Sequence, residues 1–594
     1  MRQQKILKTD LGTVIFHWAT VLALSVSLVT GLRIAADDPT HAWILTVAWL
    51  LPQGSVWQIH LIAGLSVASV AVAYTVYIVR ARLTKRITLD RARLSGLTHR
   101  GKPSMAAFHV VLYWIIYGVL TLQVLTGTLL YLGYSGSALT AHFTGAMLLL
   151  AFPVLHVAMH YLRGGMNQIL RIFKPVLIEE PRITDSFTDI LIAHYVKTNN
   201  IQTKPIPSRQ ADTQGISLHA HPLAIAVAAG LTAAIAVFSA DYSQVDRLIV
   251  TRILNTQGPR VDGDLSDTAW AFAKPVEIDT DQGANFGGTG ASHIVVRAVH
   301  TDKFAFFAFT WEDPSRSIKH LPLIKKEDGW HVMNEQYDIE DEDSYYEDKI
   351  GVMFSRSAGM GGDGTAHLGA KPLAGMPAAY SGRGLHYTTD ESNVDVWHWK
   401  AARGGLLGWV DDNYFGPPIK PTPEEVSGKA RYKGGYASDP GKAVYSYNFP
   451  HESAGGYKGT ITPSRLPRSL PATTAAMGRL DLDPNHGEEE GARWWMTEDE
   501  SQPYTAEYDA SIQAGAVIPG VIIAGNYGGD RADVQGAAHW AAGRWTLELF
   551  RKMDTESKFD VPFESGISMW VSAFDHSQTR HTRHMKPITL EIEQ

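Results

Sequence analysis

Cysteine is missing altogether from the 594 residues. Its absence excludes disulfides, iron–sulfur clusters, thiolate zinc sites and haem attached through thioether bonds. An excess of positive charge is missing too. The net charge is −7, so nothing in the charge balance favours a nucleic-acid partner. The chain beyond about residue 241 lacks any apolar run long enough to cross a bilayer. It also lacks a nucleophile–base constellation or a metallohydrolase motif, so no substrate chemistry is assigned to it. What is present is a set of 24 histidines. Any haem must be held non-covalently, and these side chains are the first place to look for its ligands.

The mean hydropathy is near zero, but this average hides two unlike parts. Before residue 241 there are five apolar stretches of the ~20 residues that a membrane span requires. They are Val14–Ile34, Ile59–Val79, Phe108–Leu132, His142–Leu162 and Leu218–Ala240. The first is followed by Ala35-Ala36, as a cleaved signal would be. It is too long for a typical signal core and carries a histidine, so it reads as a retained span.

Loop charge gives an expected orientation. Arg2, Lys5 and Lys8 precede the first span. The loop after the second span reads RARLTKRITLDRARLSGLTHRGK, and the loop after the fourth carries Arg163, Arg171, Lys174, Arg182, Lys197, Lys204 and Arg209. The alternate loops are poor in Lys and Arg, and the first has Trp43, Trp49 and Trp57 at expected interface depth. The basic side is expected to be cytoplasmic. An odd number of spans then places residues 241–594 across the membrane, in the periplasm of a Gram-negative cell.

Ionisable side chains inside spans are costly and usually functional. His17 lies near the cytoplasmic end of span one and His60 near the outer end of span two. Span four carries His142 near its outer end and His156 near its inner end. At about 1.5 Å per residue those two are ~21 Å apart. Their spacing is close to four turns, so both share roughly one face. Depth pairs His17 with His156 and His60 with His142, as two haems stacked across a bilayer require. A lone buried histidine is more often a hydrogen-bonded core residue; four at matched depths on three spans are not explained that way. His109 and His160 are candidates for a propionate or quinone contact, with His160 the substitute should His156 not ligate. Phe108-His109…Thr126-Gly127 echoes Phe16-His17…Thr30-Gly31, as an old repeat would.

Phe16-His17-Trp18…Thr30-Gly31, His60-x-x-x-Gly64, His142 and His156 together resemble the bacterial cytochrome b561 family, over about residues 10–175. This is the di-haem membrane cytochrome b of the formate dehydrogenase and nickel–iron hydrogenase type. The resemblance implies a four-helix core, two haems b with bis-histidine ligation, and electron exchange with quinone. Gly64, one turn after His60, would let a porphyrin approach the helix. The fifth span, opening His219-Ala-His221-Pro222, lies outside that core and serves most simply as a tether.

The region after 250 reads as short strands broken by Gly, Pro and Asp, such as His293–Val299, Phe304–Thr310, Ile350–Phe354, Trp545–Phe550 and Met569–Phe574. The expectation is an all-β sandwich. Val261–Trp270 reads as a turn-rich opening strand. The strings Tyr346–Met353, Val394-Asp-Val-Trp-His-Trp-Lys-Ala401, Gly543-Arg-Trp545 and Ala573-Phe-Asp575 resemble the haem-binding subunit of ethylbenzene dehydrogenase, over about 255–594. That resemblance implies one haem b with a ligand before the Trp-x-Trp-Lys string and another in the last strand. The family's subunit uses Met and Lys. Here His386 stands closest to the first position, with His367 and Met360 as alternatives. His584 stands closest to the second, with His581 and Lys586 beside it. The acidic run Asp338–Asp348 reads as a solvated loop, or as a surface steering a basic partner such as a soluble cytochrome c.

The sequence therefore predicts a di-haem membrane domain at 1–175, a cytoplasmic loop at 176–217, a fifth transmembrane helix at 218–240 and a periplasmic haem-binding β domain at 241–594. Electrons would pass between the quinone pool and a periplasmic redox partner through three haems b, in the bacterial inner membrane. Two rival readings are a haem-free outer domain that binds carbohydrate or another ligand, and an oxidase whose haem reacts with superoxide or oxygen.

Overall fold

The computed structural model describes residues 5–7, 10–36, 39–52, 56–90, 102–132, 137–173, 177–179, 221–243, 246–281, 283–336, 341–356, 366–367, 386–388, 391–427, 429–430, 432–450, 457, 459–584 and 586–594. Among the described residues, five helices are long and apolar enough to cross a membrane. They are α1 (Leu11–Ala35), α2 (Val56–Arg80), α3 (Lys102–Tyr131), α4 (Ser137–Ile169) and α5 (Pro222–Ser243). Their surfaces carry large uncovered apolar side chains such as Leu22, Leu125, Val154 and Leu231. Lipid satisfies such a surface and water does not. The chain is a membrane protein.

Two compact units are present. The first comprises Met1–Leu28, Ile62–Gly127 and Leu139–Asp241. In it α1 packs on α2 through Phe16, Tyr74 and Tyr77. α4 meets α1 through His156 and His17, and meets α3 through His160 and His109. α5 packs on α2, with Ala226 beside Phe16, Ala73 and Tyr77. A Cβ at Gly230 would come within 2.9 Å of Ala73 Cβ and of the Ser69 carbonyl oxygen. The glycine is what lets these two helices approach closely. α4 contains Pro153, between its two predicted ligands, and its regular winding breaks at Gly164 and Gly165 just beyond His160. The strand Lys5–Leu7 pairs antiparallel with Leu177–Glu179, which joins the segment before α1 to the one after α4.

The second unit comprises Val29–Leu61, Thr128–Ala138 and Tyr242–Gln594. It holds a twelve-stranded sheet. Its strands, in chain order, are β1 (Arg247–Arg252), β2 (Val276–Thr280), β3 (Ser292–His300), β4 (Phe304–Glu312), β5 (Lys349–Ser355) and β6 (Val394–Lys400). They continue with β7 (Asp411–Phe415), β8 (Tyr436–Ser438), β9 (Gln535–Ala541), β10 (Arg544–Lys552), β11 (Ser568–Phe574) and β12 (Ile588–Ile592). The order across the sheet is β8-β7-β6-β5-β11-β12-β1-β3-β4-β10-β9, with β2 also on β3. The last strand thus pairs with the first, in parallel. The sheet curls until Trp409, before β7, bridges to Gln535 at the start of β9. The predicted all-β architecture is this curled sheet.

Alternation explains the curl's interior. Ile350, Val352 and Phe354 of β5 point to one face and are fully buried with Trp397, Trp399, Trp311, Trp545 and Phe307. Apolar residues at a period of two bury one face of each strand. All five strands predicted from the sequence are present as β3, β4, β5, β10 and β11.

Two expectations are corrected. Val261–Trp270 is not a strand: it is a turn leading into the short helix Thr268–Phe272. Its amides at Asp262 and Gly263 and the Trp270 indole all donate to the carboxylate of Glu548 on β10. Gly263 has a φ of 86°, which only glycine adopts cheaply. The described part of the acidic run is not solvated either. Asp341, Glu347 and Asp348 are fully buried, Asp341 against Arg580 and Glu347 against Arg403. Residues 338–340 lie outside the described residues.

Candidate functional site

The first site joins α1 and α4 in the first unit. The rings of His17 and His156 have centroids 6.3 Å apart and planes inclined by 27°. Metal–imidazole bonds of about 2 Å allow one iron between rings at this separation. The Nδ1 of His156 is buried and has no hydrogen-bond partner among the described residues. Buried polar atoms without partners are rare and costly. The donor set therefore fits a haem iron. Phe152 and Tyr113 pack on His156, at ring distances of 5.2 and 5.9 Å. His160 stands edge-on to His156 at 4.6 Å, and His109 lies 4.8 Å from His160. The hydroxyl of Tyr113 is 3.4 Å from His160 Nε2. His109 and His160 thus flank the pair, and the histidine that faces α1 is His156.

His60 and His142 are each held by the helix that precedes them. His60 of α2 has its Nδ1 3.0 Å from the Thr30 hydroxyl of α1. His142 of α4 has its Nδ1 2.9 Å from the Thr126 hydroxyl of α3. Thr126 already donates its hydroxyl proton to the Leu122 carbonyl, 2.7 Å away. Its oxygen is left to accept, so His142 Nδ1 is the donor and the ring's lone pair sits on Nε2. A metal-bound histidine needs that tautomer, and such outer partners fix it. The glycine after each threonine makes room for the ring. A Cβ on Gly31 would meet His60 Cε1 at 3.0 Å, and a Cβ on Gly127 would meet His142 Cε1 at 3.1 Å. A Cβ on Gly64 would meet nothing within 4 Å, so there is open space one turn from His60. The Thr-Gly repeat was visible in the sequence, but its role as histidine holder was not.

In the second unit, β5, β6 and β11 carry a mixed row of polar and apolar side chains on the face opposite the tryptophan core. Ladder pairing aligns Lys349 with Lys400 and Phe574, then Gly351 with His398 and Ser572, then Met353 with Val396 and Trp570. A Cβ on Gly351, beside His398, would lie 3.7 Å from the Phe574 ring, whose centroid is 5.4 Å from that of His398. His398 Nε2 is sealed from solvent and has no hydrogen-bond partner among the described residues. Desolvation, with Lys400, Lys349 and Arg403 adding to it, pushes its pKa well below the usual histidine range. His398 is therefore neutral at ordinary pH, the form that ligates metal. The sequence presented it only as part of the Trp-x-Trp-Lys string. A half-buried imidazole whose Nε2 is sealed and without a partner among the described residues fits a haem-iron ligand.

The ligands expected from sequence fare differently. His584 has both ring nitrogens engaged: Nε2 accepts from the Val571 amide at 2.9 Å, and Nδ1 donates to the Lys586 carbonyl at 2.7 Å. Ligation would break the Val571 bond, so the geometry gives His584 a structural task. His581 Nδ1 is 2.8 Å from the Thr582 carbonyl. Lys586 Nζ lies 4.9 Å over the Tyr131 ring, both within the second unit. His386 and His367 are direct partners in a short two-strand ladder, Ala366–His367 with His386–Tyr387. Their side chains, Met360 and His219 lie outside the described residues.

Comparison with known proteins gives two family matches. Residues 8–175 match the prokaryotic cytochrome b561 family. Residues 267–586 match the ethylbenzene dehydrogenase family. No curated protein matches the chain significantly. Among solved structures, a putative carbohydrate-binding protein from Bacteroides uniformis is 10% identical, covering 59% of this chain and 100% of its own, with a TM-score of 0.23. A carbohydrate binding module of family 9 from Caldicellulosiruptor kristjanssonii, in complex with glucose, is 7% identical, covering 59% and 97%, with a TM-score of 0.21. Likeness that slight carries no argument about ligand. The ethylbenzene dehydrogenase match takes in more than half of the residues. The chain belongs to the ethylbenzene dehydrogenase family, fused behind an N-terminal prokaryotic cytochrome b561 domain that makes it a membrane b-type cytochrome of electron transfer.

Proposed function

We propose that this protein carries electrons between membrane quinone and a redox partner on the far side of the bilayer, through three haems b. The observation that carries this reading is the facing pair His17 and His156, 6.3 Å apart in the span region. His17 and His156 would hold the inner haem. His60 and His142, each fixed through Nδ1 by a threonine hydroxyl, would hold the outer one. In the β domain His398 is the better ligand than His584, because its Nε2 has no competing bond. His386, from the segment before β6, remains its expected partner. When bound, the haems supply one-electron redox chemistry, and the chain supplies ligation, orientation and dielectric. Movement of an electron between two depths in the membrane also moves charge through the membrane field.

The domain boundaries proposed are 1–175 for the di-haem part, 176–217 for a cytoplasmic loop, 218–240 for the fifth span and 241–594 for a periplasmic haem domain. Pairing of Lys5–Leu7 with Leu177–Glu179 supports one side for the N-terminus and the segment after α4. The basic loops support the cytoplasm as that side. The inner membrane of a bacterium follows from that orientation. A soluble carrier such as a cytochrome c remains a partner class. The burial of Asp341, Glu347 and Asp348 removes those three side chains as a surface for steering it.

Pyridine haemochrome analysis of the purified full chain is expected to give three haems b per polypeptide. Addition of a short-chain quinol to the oxidised protein should reduce them, and His156→Ala should lose one haem and most of the reduction rate. A chain with three haems that no quinol reduces would overturn the quinone assignment. A chain with two would overturn the haem of the β domain.

A further inference from the structure

Four buried aspartates converge inside the curled sheet, far in sequence from one another. Asp395 lies on β6 and Asp412 on β7, facing the same side as Trp397, which pairs with Asp412 across the ladder. Asp560 comes from the loop between β10 and β11. Carboxylate oxygens of these three lie within 4.8 Å of one another. Asp439, just after β8, is the fourth. Its amide donates to the Asp412 carbonyl at 3.1 Å. It is 2% exposed, and both of its carboxylate oxygens are sealed from solvent; among the described residues the neighbour within hydrogen-bond reach is another carboxyl, that of Asp560. Asp395 Oδ1, Asp412 Oδ2 and Asp560 Oδ1 are sealed in the same way. Among the described residues one cation serves the group: Arg551, which bonds Asp395 and lies 3.6 Å from Asp560. Four carboxylates against one guanidinium leave a large uncompensated charge in a dry interior.

A second buried triad shows what a satisfied cluster looks like. Asp348 accepts from the Ser317 and His576 amides and the Trp545 indole. Asp575 accepts from the Phe286 amide and Asp313 from the Ser315 amide. There the only orphaned carboxylate oxygen among the described residues is Asp313 Oδ2. The group around Asp439 has five, although Asp395 also accepts from the Val561 amide, Asp412 from the Asn413 amide and Asp560 from the Thr555 hydroxyl.

We propose that Asp395, Asp412, Asp439 and Asp560 bind a calcium ion, which closes the β domain beside Arg551. Oxygen-only donors select a hard cation, and a set of carboxylates from flexible as well as strand positions suits the larger coordination shell of calcium over magnesium. Without a cation, desolvation and the neighbouring carboxylates push Asp439 up to about 8, and desolvation pushes Asp395 to about 6 despite Arg551. Calcium removes the need for those protons. The ion would be structural, tying β6, β7, the segment after β8 and the β10–β11 loop into one body.

The test uses the full chain in detergent. Calcium chloride in place of a chelator is expected to raise the Tm of the wild type by about 5 °C at ~100 times Kd. Asp439→Asn should lose that response and, in chelator, be at least as stable as the wild type, because it removes repulsion and its amide can donate to Asp560 in place of a shared proton. Terbium supplies a readout on the wild type alone: Trp397, with Arg551 5.2 Å from its ring, should sensitise bound terbium, and calcium should quench the signal by displacing it. The variant should bind at least tenfold more weakly. A wild type indifferent to calcium and dark with terbium overturns the site. An equal calcium response in Asp439→Asn places the ion elsewhere and overturns it too. A response to magnesium chloride alone overturns the choice of calcium.

Discussion

Thr126 shows how much of the cytochrome's chemistry rests on single uncharged side chains. Its hydroxyl donates a hydrogen bond to the Leu122 carbonyl and accepts one from His142 Nδ1, which leaves the Nε2 lone pair that a metal would need. Thr126→Val keeps shape and removes the acceptor. The expected result is a ~10–100-fold loss of affinity for one membrane haem, read as haem lost on washing in detergent, with the His17–His156 haem retained. Thr30→Val should do the same through His60. At this scale the sequence revealed the ionisable groups but not their partners. Histidines inside spans stand out because their burial is costly. The threonines do not, because a hydroxyl in a helix ordinarily bonds its own preceding turn, and only the helix pairing brings it to a histidine. His320 was not read at all. It is fully buried 3.3 Å from Glu347, and burial holds it at about 4, with Arg403 adding to the effect and Glu347 opposing it. In the unfolded chain a histidine titrates near about 6.5. Between those values the unfolded state takes a proton that the folded state refuses, so stability is lost as pH falls from about 6.5 to 4, by up to ~3 kcal/mol. Thermal melts across that window should fall less steeply for His320→Gln than for the wild type; parallel curves would refute the assignment.

Helices and strands were the most legible elements, for two different reasons. The five spans announce themselves by length and hydropathy, and the strands by alternation around large aromatic residues. What failed were elements whose character is set by a distant partner. The acidic run ending at Asp348 reads locally as a solvated loop, and Arg403 and Arg580, which bury it, lie far along the chain. Val261–Trp270 reads as a strand, but Glu548 gathers its amides into a turn. The pairing of α1 with α2 and of α3 with α4 depends on a glycine at each contact. Gly31→Val and Gly127→Val should each force the adjacent imidazole away from the helix, since even a Cβ comes within about 3 Å of the ring. Each variant is expected to lose the outer haem while retaining the inner one. Optical spectra that keep both haems in either variant would show that the ring tolerates displacement.

On the scale of the molecule, two families are joined in one chain: a helical part built to hold cofactors in lipid, and a curled sheet that closes its last strand on its first. The division was legible because apolar runs stop near residue 241. A ligand for the haem proposed in the β domain was less so: the sequence favoured His584, whose nitrogens bond Val571 and Lys586, while His398, the proposed candidate, lies inside a string of tryptophans. The aspartate group around Asp439 could not be read at all, since its four members come from four separate segments. The central claim is the pairing of membrane ligands. It is tested most directly by redox-difference spectra of His17→Ala, His156→Ala, His60→Ala and His142→Ala in the full chain. The expected result is two classes: the first two variants lose one and the same haem, and the last two lose the other. Loss of different haems from His17→Ala and His156→Ala would contradict it.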